Sequence, residues 1–132
     1  MNFFLGVDGG GTRTRVALAD GSGHEHSRAE GPPTLIDPAN PNTTIGVIAD
    51  LCREAVSKVG ADLPVAALWA GIAGAGTEPT RSVVESALRD AGLASCTAVG
   101  ADAEAAFHDA FPSGPGILLI SGTGSIALGR GA

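Results

Sequence analysis

The chain has 132 residues, 44% of them hydrophobic, which is enough to bury one core and too many for a disordered segment. Its 14 acidic and 8 basic residues give a net charge of −6, which would repel nucleic-acid phosphates and anionic membrane surfaces, so we expect neither as a partner. The longest apolar run, residues 63–75, is broken by Pro64, Gly71 and Gly74 and is shorter than the ~20 residues a spanning helix needs. Because no basic leader precedes the first apolar segment either, the sequence predicts a soluble, cytoplasmic protein.

The N-terminal segment predicts three strands and a loop. Residues 3–7 form an apolar run that ends at Asp8, and residues 13–19 alternate in part, so a glycine-rich turn joins two strands of a hairpin. Residues 24–30 are more polar and are typical of an edge strand. Four prolines between residues 31 and 41 predict a loop without regular structure.

A helix and a buried strand follow this loop. Pro41 can occupy the first helical position behind an Asn40 cap, and apolar residues then recur at helical spacing up to Gly60, a predicted stop. Residues 65–72 are almost continuously apolar, which is typical of a central strand covered on both faces.

The same pattern then repeats with shorter elements. Thr77 is the predicted cap of a second helix that ends at Gly92. A short strand is expected at residues 97–100, and acidic residues open a short alanine-rich helix predicted at residues 102–111.

Two further strands, residues 116–121 and 125–130, surround another glycine turn and repeat the pattern of the opening hairpin. The order β-β-β-α-β-α-β-α and a fresh β-β is that of a ribonuclease-H-like α/β domain followed by the first hairpin of a repeat. We therefore predict a mixed five-stranded sheet with flanking helices in residues 1–113, and the first β-hairpin of a second lobe in residues 114–132.

The first turn has the residues of a Mg²⁺–phosphate site. Asp8 can hold a metal through water, Gly9, Gly10 and Gly11 let the backbone approach phosphate oxygens, and Thr12 adds a hydroxyl donor. A tight structural turn explains these residues equally well. The turn is no Walker A loop, because no Gly-Lys-Ser/Thr follows, and no Rossmann fingerprint, because no helix follows.

The second turn, Gly122, Thr123, Gly124 and Ser125, again combines glycines with hydroxyls between two strands. A pair of such turns around an α/β core can bind the phosphates of a nucleotide from two sides. The presence of the second turn therefore favours phosphate binding as the role of both turns.

Asp102 lies between the two turns, after a buried strand and before a helix. A helix cap is the simpler interpretation. The functional hypothesis is a general base that accepts a proton from a sugar hydroxyl as this hydroxyl attacks the γ-phosphate of ATP.

Three segments resemble the phosphate-1, connect-1 and phosphate-2 motifs of actin-like ATPases, and in particular those of the N-acetylglucosamine kinase / BadF branch. Their sequences are D-G-G-G-T-R-T-R, A-D-A-E-A-A and I-S-G-T-G-S-I-A. The match covers nearly the whole chain in the right order. It implies ATP and Mg²⁺ as cofactors, an amino sugar such as N-acetylglucosamine or glucosamine as substrate, and Asp102 as the base. It further implies a sugar pocket formed by loop 31–40, turn 71–76 and the surroundings of Asp102.

Two departures from the family pattern matter. Animal members place Asn-His-Trp-like residues in the substrate loop, where this chain has Pro-Thr-Leu-Ile-Asp at residues 33–37, so the identity of the sugar is left open. Members of the family are also about twice as long, and the adenosine motif and second connecting helix lie beyond the segments matched here.

Two alternatives stay open beside the kinase. One is a BadF-type ATPase activator of a radical dehydratase, whose iron–sulfur cluster needs exposed cysteines; Cys52 and Cys96 both lie in stretches that predict small core residues. The other is a non-catalytic fragment that binds phosphate weakly. The oligomeric state is undecided, and a homo-oligomer is compatible with the sequence. His24 and His26 share a strand face, but no third metal ligand is evident.

Overall fold

The computed structural model describes residues 2–37 and 39–100 and, as strands, residues 116–121 and 125–130. A five-stranded sheet of order β3-β2-β1-β4-β5 and a separate two-stranded sheet of β6 and β7 make up the described strands. The elements are β1 (Phe3–Gly9), β2 (Thr14–Asp20), β3 (Glu25–Gly31), α1 (Asn42–Ser57), β4 (Val65–Ile72), α2 (Thr80–Asp90), β5 (Ala94–Gly100), β6 (Gly116–Ser121) and β7 (Ser125–Arg130).

The sheet is mixed because short turns join its first three strands and helices join the rest. β1, β2 and β3 pair antiparallel, whereas β1, β4 and β5 run parallel, with α1 and α2 as the crossovers that parallel strands require. Gly9 pairs with Ile72, and Gly71 pairs with Gly100. The carboxyl ends of three parallel strands therefore lie side by side at one edge of the sheet.

The core lies between the sheet and one layer of helices. Both helices contact each other; α1 packs on β2 and β3, and α2 packs on β5, so they cover the same face. Leu18, Ile48 and Leu88 are fully buried in this layer, and burial of each such side chain contributes about 1.5–3 kcal/mol. On the other face Phe4 is 37% exposed and Trp69 is half-buried. We expected β4 to be covered on both faces, but the described residues cover it fully on one face and partly on the other.

The predicted fold class is confirmed. The five-stranded mixed sheet, its two described helices and the β6–β7 hairpin have the predicted order, and β4, β6 and β7 have the predicted bounds. The helix expected at residues 102–111 lies outside the described residues, and the division into two lobes stays a prediction. Among the helices that the structure describes, none combines the length and the apolar character that crossing a membrane requires.

The helix starts are the main error in the predicted elements. Asn40 and Thr77 were expected to cap the helices, but α1 and α2 begin after Pro41 and Pro79, which occupy the cap positions without a side-chain cap hydrogen bond. A proline already has a backbone φ close to the helical value, so each helix starts at its proline and not at the nearest hydroxyl or amide side chain.

The exposure of Cys96 is the second correction. β5 begins at Ala94, three residues earlier than expected, and Cys96 is exposed on its open face, while Cys52 is buried in α1. Side chains alternate between the two faces of a strand, and Thr97 and Val99 occupy the face under the helices.

Candidate functional site

The turn between β1 and β2 is closed by its own backbone and leaves its tip open. The Gly10 amide donates to the Arg13 carbonyl oxygen at 3.0 Å. Gly11 and Thr12 are exposed, and no hydrogen bond within the described residues engages either amide. A Cβ built on Gly11 meets nothing within 4 Å, so a ligand can approach this backbone closely.

Asp8 is exposed beside this turn. It lies one residue before the end of β1, where it pairs with Arg15 on one side and Gly71 on the other. No group of three or more metal-ligating side chains occurs among the described residues, and a carboxylate such as Asp8 can hold a hydrated cation through water and a ligand's own oxygens.

Loop 32–37 and the turn after β4 both contact the glycine turn. The Thr34 amide donates to the Gly10 carbonyl at 3.3 Å, and the Ala73 amide donates to the Gly9 carbonyl at 2.7 Å. The Ile36 amide donates in turn to the Ala73 carbonyl at 3.3 Å. Three chain segments distant in sequence are thus joined at the carboxyl edge of the parallel strands, where open α/β sheets bind their ligands.

A buried pair of threonines lies beneath this junction. Thr14 is 0% and Thr34 is 1% exposed, and their hydroxyl oxygens are 2.7 Å apart. The Thr14 hydroxyl also donates to the Pro32 carbonyl oxygen at 2.7 Å. Sequence reasoning missed this pair, since two threonines separated by the rest of β2, a turn and β3 give no local signal.

The hydroxyl of Thr34 occupies the space beside Gly9, so glycine is needed at this position for packing. Gly9 is buried, and a Cβ at this position would overlap the Thr34 hydroxyl oxygen and lie 3.4 Å from Ile72 Cγ1. Of the predicted phosphate-binding residues, Gly9 is therefore covered by loop 32–37, while Gly11 and Thr12 face solvent.

The remaining predicted site residues cannot be placed. Asp102, Gly122, Thr123 and Gly124 lie outside the described residues, and Ser125 is described only as the first residue of β7, paired with Ser121. The general base and the second phosphate turn stay predictions.

At the opposite end of β2, Asp20 closes the turn to β3. Its Oδ1 accepts from the Ser22 amide at 2.9 Å, the Ser22 hydroxyl at 2.6 Å and the His24 amide at 3.2 Å. Its Oδ2 lies 2.7 Å from His26 Nε2. The Ser22 hydroxyl, and after it His26, hold the pKa of this carboxyl well below its ordinary value.

His24 and His26 contact each other through their rings, and among the described residues they belong to no group of three metal-ligating side chains. Their rings meet edge to face with centroids 5.1 Å apart, and His26 makes a similar contact with Phe3 at 5.4 Å.

The cysteines differ in reactivity. Burial raises the pKa of the Cys52 thiol to about 12, so it stays protonated at neutral pH, whereas Cys96 is exposed. The chain has two cysteines in all, and it therefore offers one accessible thiol.

No family model matches the chain. It is 30% identical over 131 residues to the N-acetylmuramic acid/N-acetylglucosamine kinase of Clostridium acetobutylicum; the match covers 98% of this chain and 43% of that protein.

Two solved structures resemble the fold. A protein from Chromobacterium violaceum described as a candidate N-acetylglucosamine kinase superposes with a TM-score of 0.76 at 25% identity, over 96% of this chain and 44% of the other. A second candidate N-acetylglucosamine kinase, from Porphyromonas gingivalis, gives a TM-score of 0.73 at 19% identity, over 99% and 44%, and supports the fold alone.

Fold and comparisons together define a lobe of the actin-like ATPase type found in sugar kinases. The chain resembles the N-terminal half of proteins named as N-acetylglucosamine kinases. It spans less than half the length of the relatives it matches.

Proposed function

We propose that this chain is the N-terminal lobe of an ATP-dependent kinase that phosphorylates N-acetylglucosamine or glucosamine in the cytoplasm. The observation that carries the proposal is the junction of the glycine turn, loop 32–37 and the turn after β4 at one edge of the sheet. A kinase must hold a phosphate chain and an acceptor side by side, and these segments provide both walls from neighbouring strand ends.

The residues at the glycine turn suit a nucleotide phosphate with its Mg²⁺ ion. The open amides of Gly11 and Thr12 can donate to phosphate oxygens, and the exposed Asp8 carboxylate suits a hydrated cation. The second turn, residues 122–125, would hold the phosphates from the other side. When bound, Mg²⁺ neutralises part of the charge on the phosphates.

Asp102 is the proposed general base. β5 brings the chain to the ligand-binding edge at Gly100, which pairs with Gly71, and Asp102 follows two residues later in the sequence. In the reaction a sugar hydroxyl oxygen forms a bond to the γ-phosphorus, the bond from that phosphorus to the β-phosphate oxygen breaks, and the hydroxyl proton passes to the carboxylate.

We further propose that catalysis needs a second lobe. The relatives are more than twice as long as this chain, and the β6–β7 hairpin has the place in the sequence of the first element of such a lobe. ATP would then be enclosed between the lobes. Whether this chain alone transfers phosphate is tested with the same assay as the complete protein.

The experiment is a coupled assay of ADP release from the complete protein with N-acetylglucosamine, glucosamine and N-acetylmuramic acid. Asp102→Asn should lower kcat by about 100-fold or more while leaving ATP binding and the melting temperature nearly unchanged. If Asp102 is only a helix cap, the same variant would instead lose about 1 kcal/mol of stability with little effect on kcat.

Lack of sugar-dependent ADP release from the complete protein with all three sugars would refute the proposal. The activator alternative requires an iron–sulfur cluster held by several thiolates, and within residues 1–132 one accessible thiol, Cys96, is available; a colourless complete protein would count against this alternative.

A further inference from the structure

We infer that the Thr14–Thr34 hydroxyl pair is a positioning element that fixes the sugar loop, residues 32–37, against the glycine turn that takes the phosphates. The inference rests on the proposed function and adds to it two residues that set the distance between acceptor and nucleotide.

The direction of the hydrogen bonds in the pair follows from the chemistry of its members. The Pro32 carbonyl can only accept, so the Thr14 hydroxyl must donate its single proton to that oxygen. The Thr34 hydroxyl is then the donor to Thr14. The result is a directed chain from Thr34 to Thr14 to Pro32, in which each bond polarises the next and both hydroxyls are shielded from water.

These two side-chain hydrogen bonds join loop 32–37 to the first residue after the glycine turn, and a backbone hydrogen bond joins the loop to the turn itself. The Thr34 amide donates to Gly10, and the Thr34 hydroxyl fills the space that a side chain on Gly9 would need. Thr14 itself pairs with Gly9 in the sheet. A shift of loop 32–37 therefore requires movement of the glycine turn or the loss of a buried hydrogen bond.

Coupling of this kind matters for phosphoryl transfer more than for binding of either substrate alone. Transfer in line requires that the acceptor oxygen and the phosphorus lie in a near-attack geometry, and a misplacement of about 1 Å can lower the rate by about 100-fold. Thr34 touches neither reacting atom in this account, so it is a positioning residue and acts through the loop.

The test compares Thr34→Val with Thr34→Ser in the complete protein. Valine keeps the shape and removes the donor, whereas serine keeps the donor. Thr34→Val should lower the ratio of sugar phosphorylation to ATP hydrolysis by about 10- to 100-fold, with the dissociation constant for ATP changed by less than about 2-fold. Thr34→Ser should restore the ratio to within about 3-fold of wild type.

Thr44→Val is the matched control. Thr44 on α1 is buried, and its hydroxyl contacts the Leu35 carbonyl of the same loop at 3.4 Å but has no bond to the glycine turn. Its ratio of phosphorylation to hydrolysis should stay near wild type. A simple loss of folded protein would lower both rates together, so this ratio distinguishes positioning from stability.

Hydrogen exchange gives a readout that does not depend on sugar phosphorylation. In Thr34→Val, but not in Thr34→Ser, amides of residues 34–36 and of the turn after β4 should exchange faster. Equal ratios in Thr34→Val and Thr44→Val, or equal losses in valine and serine variants, would overturn the inference. If the wild-type protein phosphorylates no sugar, the proposed function fails, and unchanged exchange in Thr34→Val would then separately refute the coupling.

Discussion

The two ends of strand β2 show how differently a hairpin turn can be stabilised. At one end the Asp20 side chain accepts hydrogen bonds from the Ser22 and His24 amides, and its carbonyl accepts from the Gly23 amide, so Asp20 engages three donors of the turn to β3. At the other end the turn from β1 leaves the Gly11 and Thr12 amides open and is held from below by buried Thr34. The glycine turn thus presents two adjacent amides without a partner among the described residues, which is why we propose that the phosphates bind there.

The largest loss of stability in the glycine turn is expected from a substitution at Gly9. Gly9→Ala should destabilise the protein by about 1–3 kcal/mol, because the added Cβ would overlap the buried Thr34 hydroxyl oxygen. Thermal or urea unfolding measures the change.

Gly11→Ala is the control for this substitution. Its added methyl group meets no atom within 4 Å, so stability should change by less than about 0.5 kcal/mol, while the methyl obstructs the approach of a phosphate and weakens ATP binding. Equal stability losses in the two variants would show that Gly9 is not packed as described.

Thr14→Val is a second substitution that should destabilise the glycine turn between β1 and β2. This change removes the donor to the Pro32 carbonyl and leaves the buried Thr34 hydroxyl without its partner, and we expect a loss of about 1–3 kcal/mol in the free energy of unfolding.

Thr97→Val provides the contrast, since the buried Thr97 hydroxyl has no hydrogen-bond partner among the residues described. Removing it should be neutral or stabilising. The two substitutions have identical chemistry, so a loss in Thr97→Val as large as that in Thr14→Val would contradict the assigned network.

The stability that Asp20 contributes in the turn from β2 to β3 should depend on pH. The pKa of Asp20 is lowered in the folded state, so its carboxylate stabilises the fold above a pH of about 4, and this stabilisation is lost as the pH falls through the folded-state value. Asp20→Asn should therefore be less stable than wild type at neutral pH, and the gap should narrow below a pH of about 4.

Ser22→Ala keeps the carboxylate and removes one donor, so its gap to wild type should be smaller. Chemical unfolding at a series of pH values gives all three curves. A constant difference between wild type and Asp20→Asn over the acid range would argue against the described role of Asp20.

The parts of the fold that local pattern controls were predictable from the sequence. The apolar run of β4 gave its bounds, and Gly60 and Gly92 were expected to end the helices; both take a positive φ, +68° and +71°, that favours glycine. The helix starts were wrong because Pro41 and Pro79 begin the helices without a side-chain cap.

The support beneath the glycine turn could not be predicted in the same way. Thr14 and Thr34 are 20 residues apart, and the pairing of β2 with β3, which sets Thr14 opposite Gly31, together with the path of loop 32–37 brings their hydroxyls together. The glycines were assigned to phosphate binding as one group, whereas the structure separates buried Gly9 from exposed Gly11. A residue type alone does not distinguish space left for a ligand from space filled by a neighbouring side chain.

The most direct test of the account is an amide-resolved NMR titration of the complete protein with ATP and Mg²⁺. The account predicts large shifts for the Gly11 and Thr12 amides and none for the Ser22 and His24 amides at the other end of β2. Saturable ATP binding that leaves Gly11 and Thr12 unperturbed would contradict it.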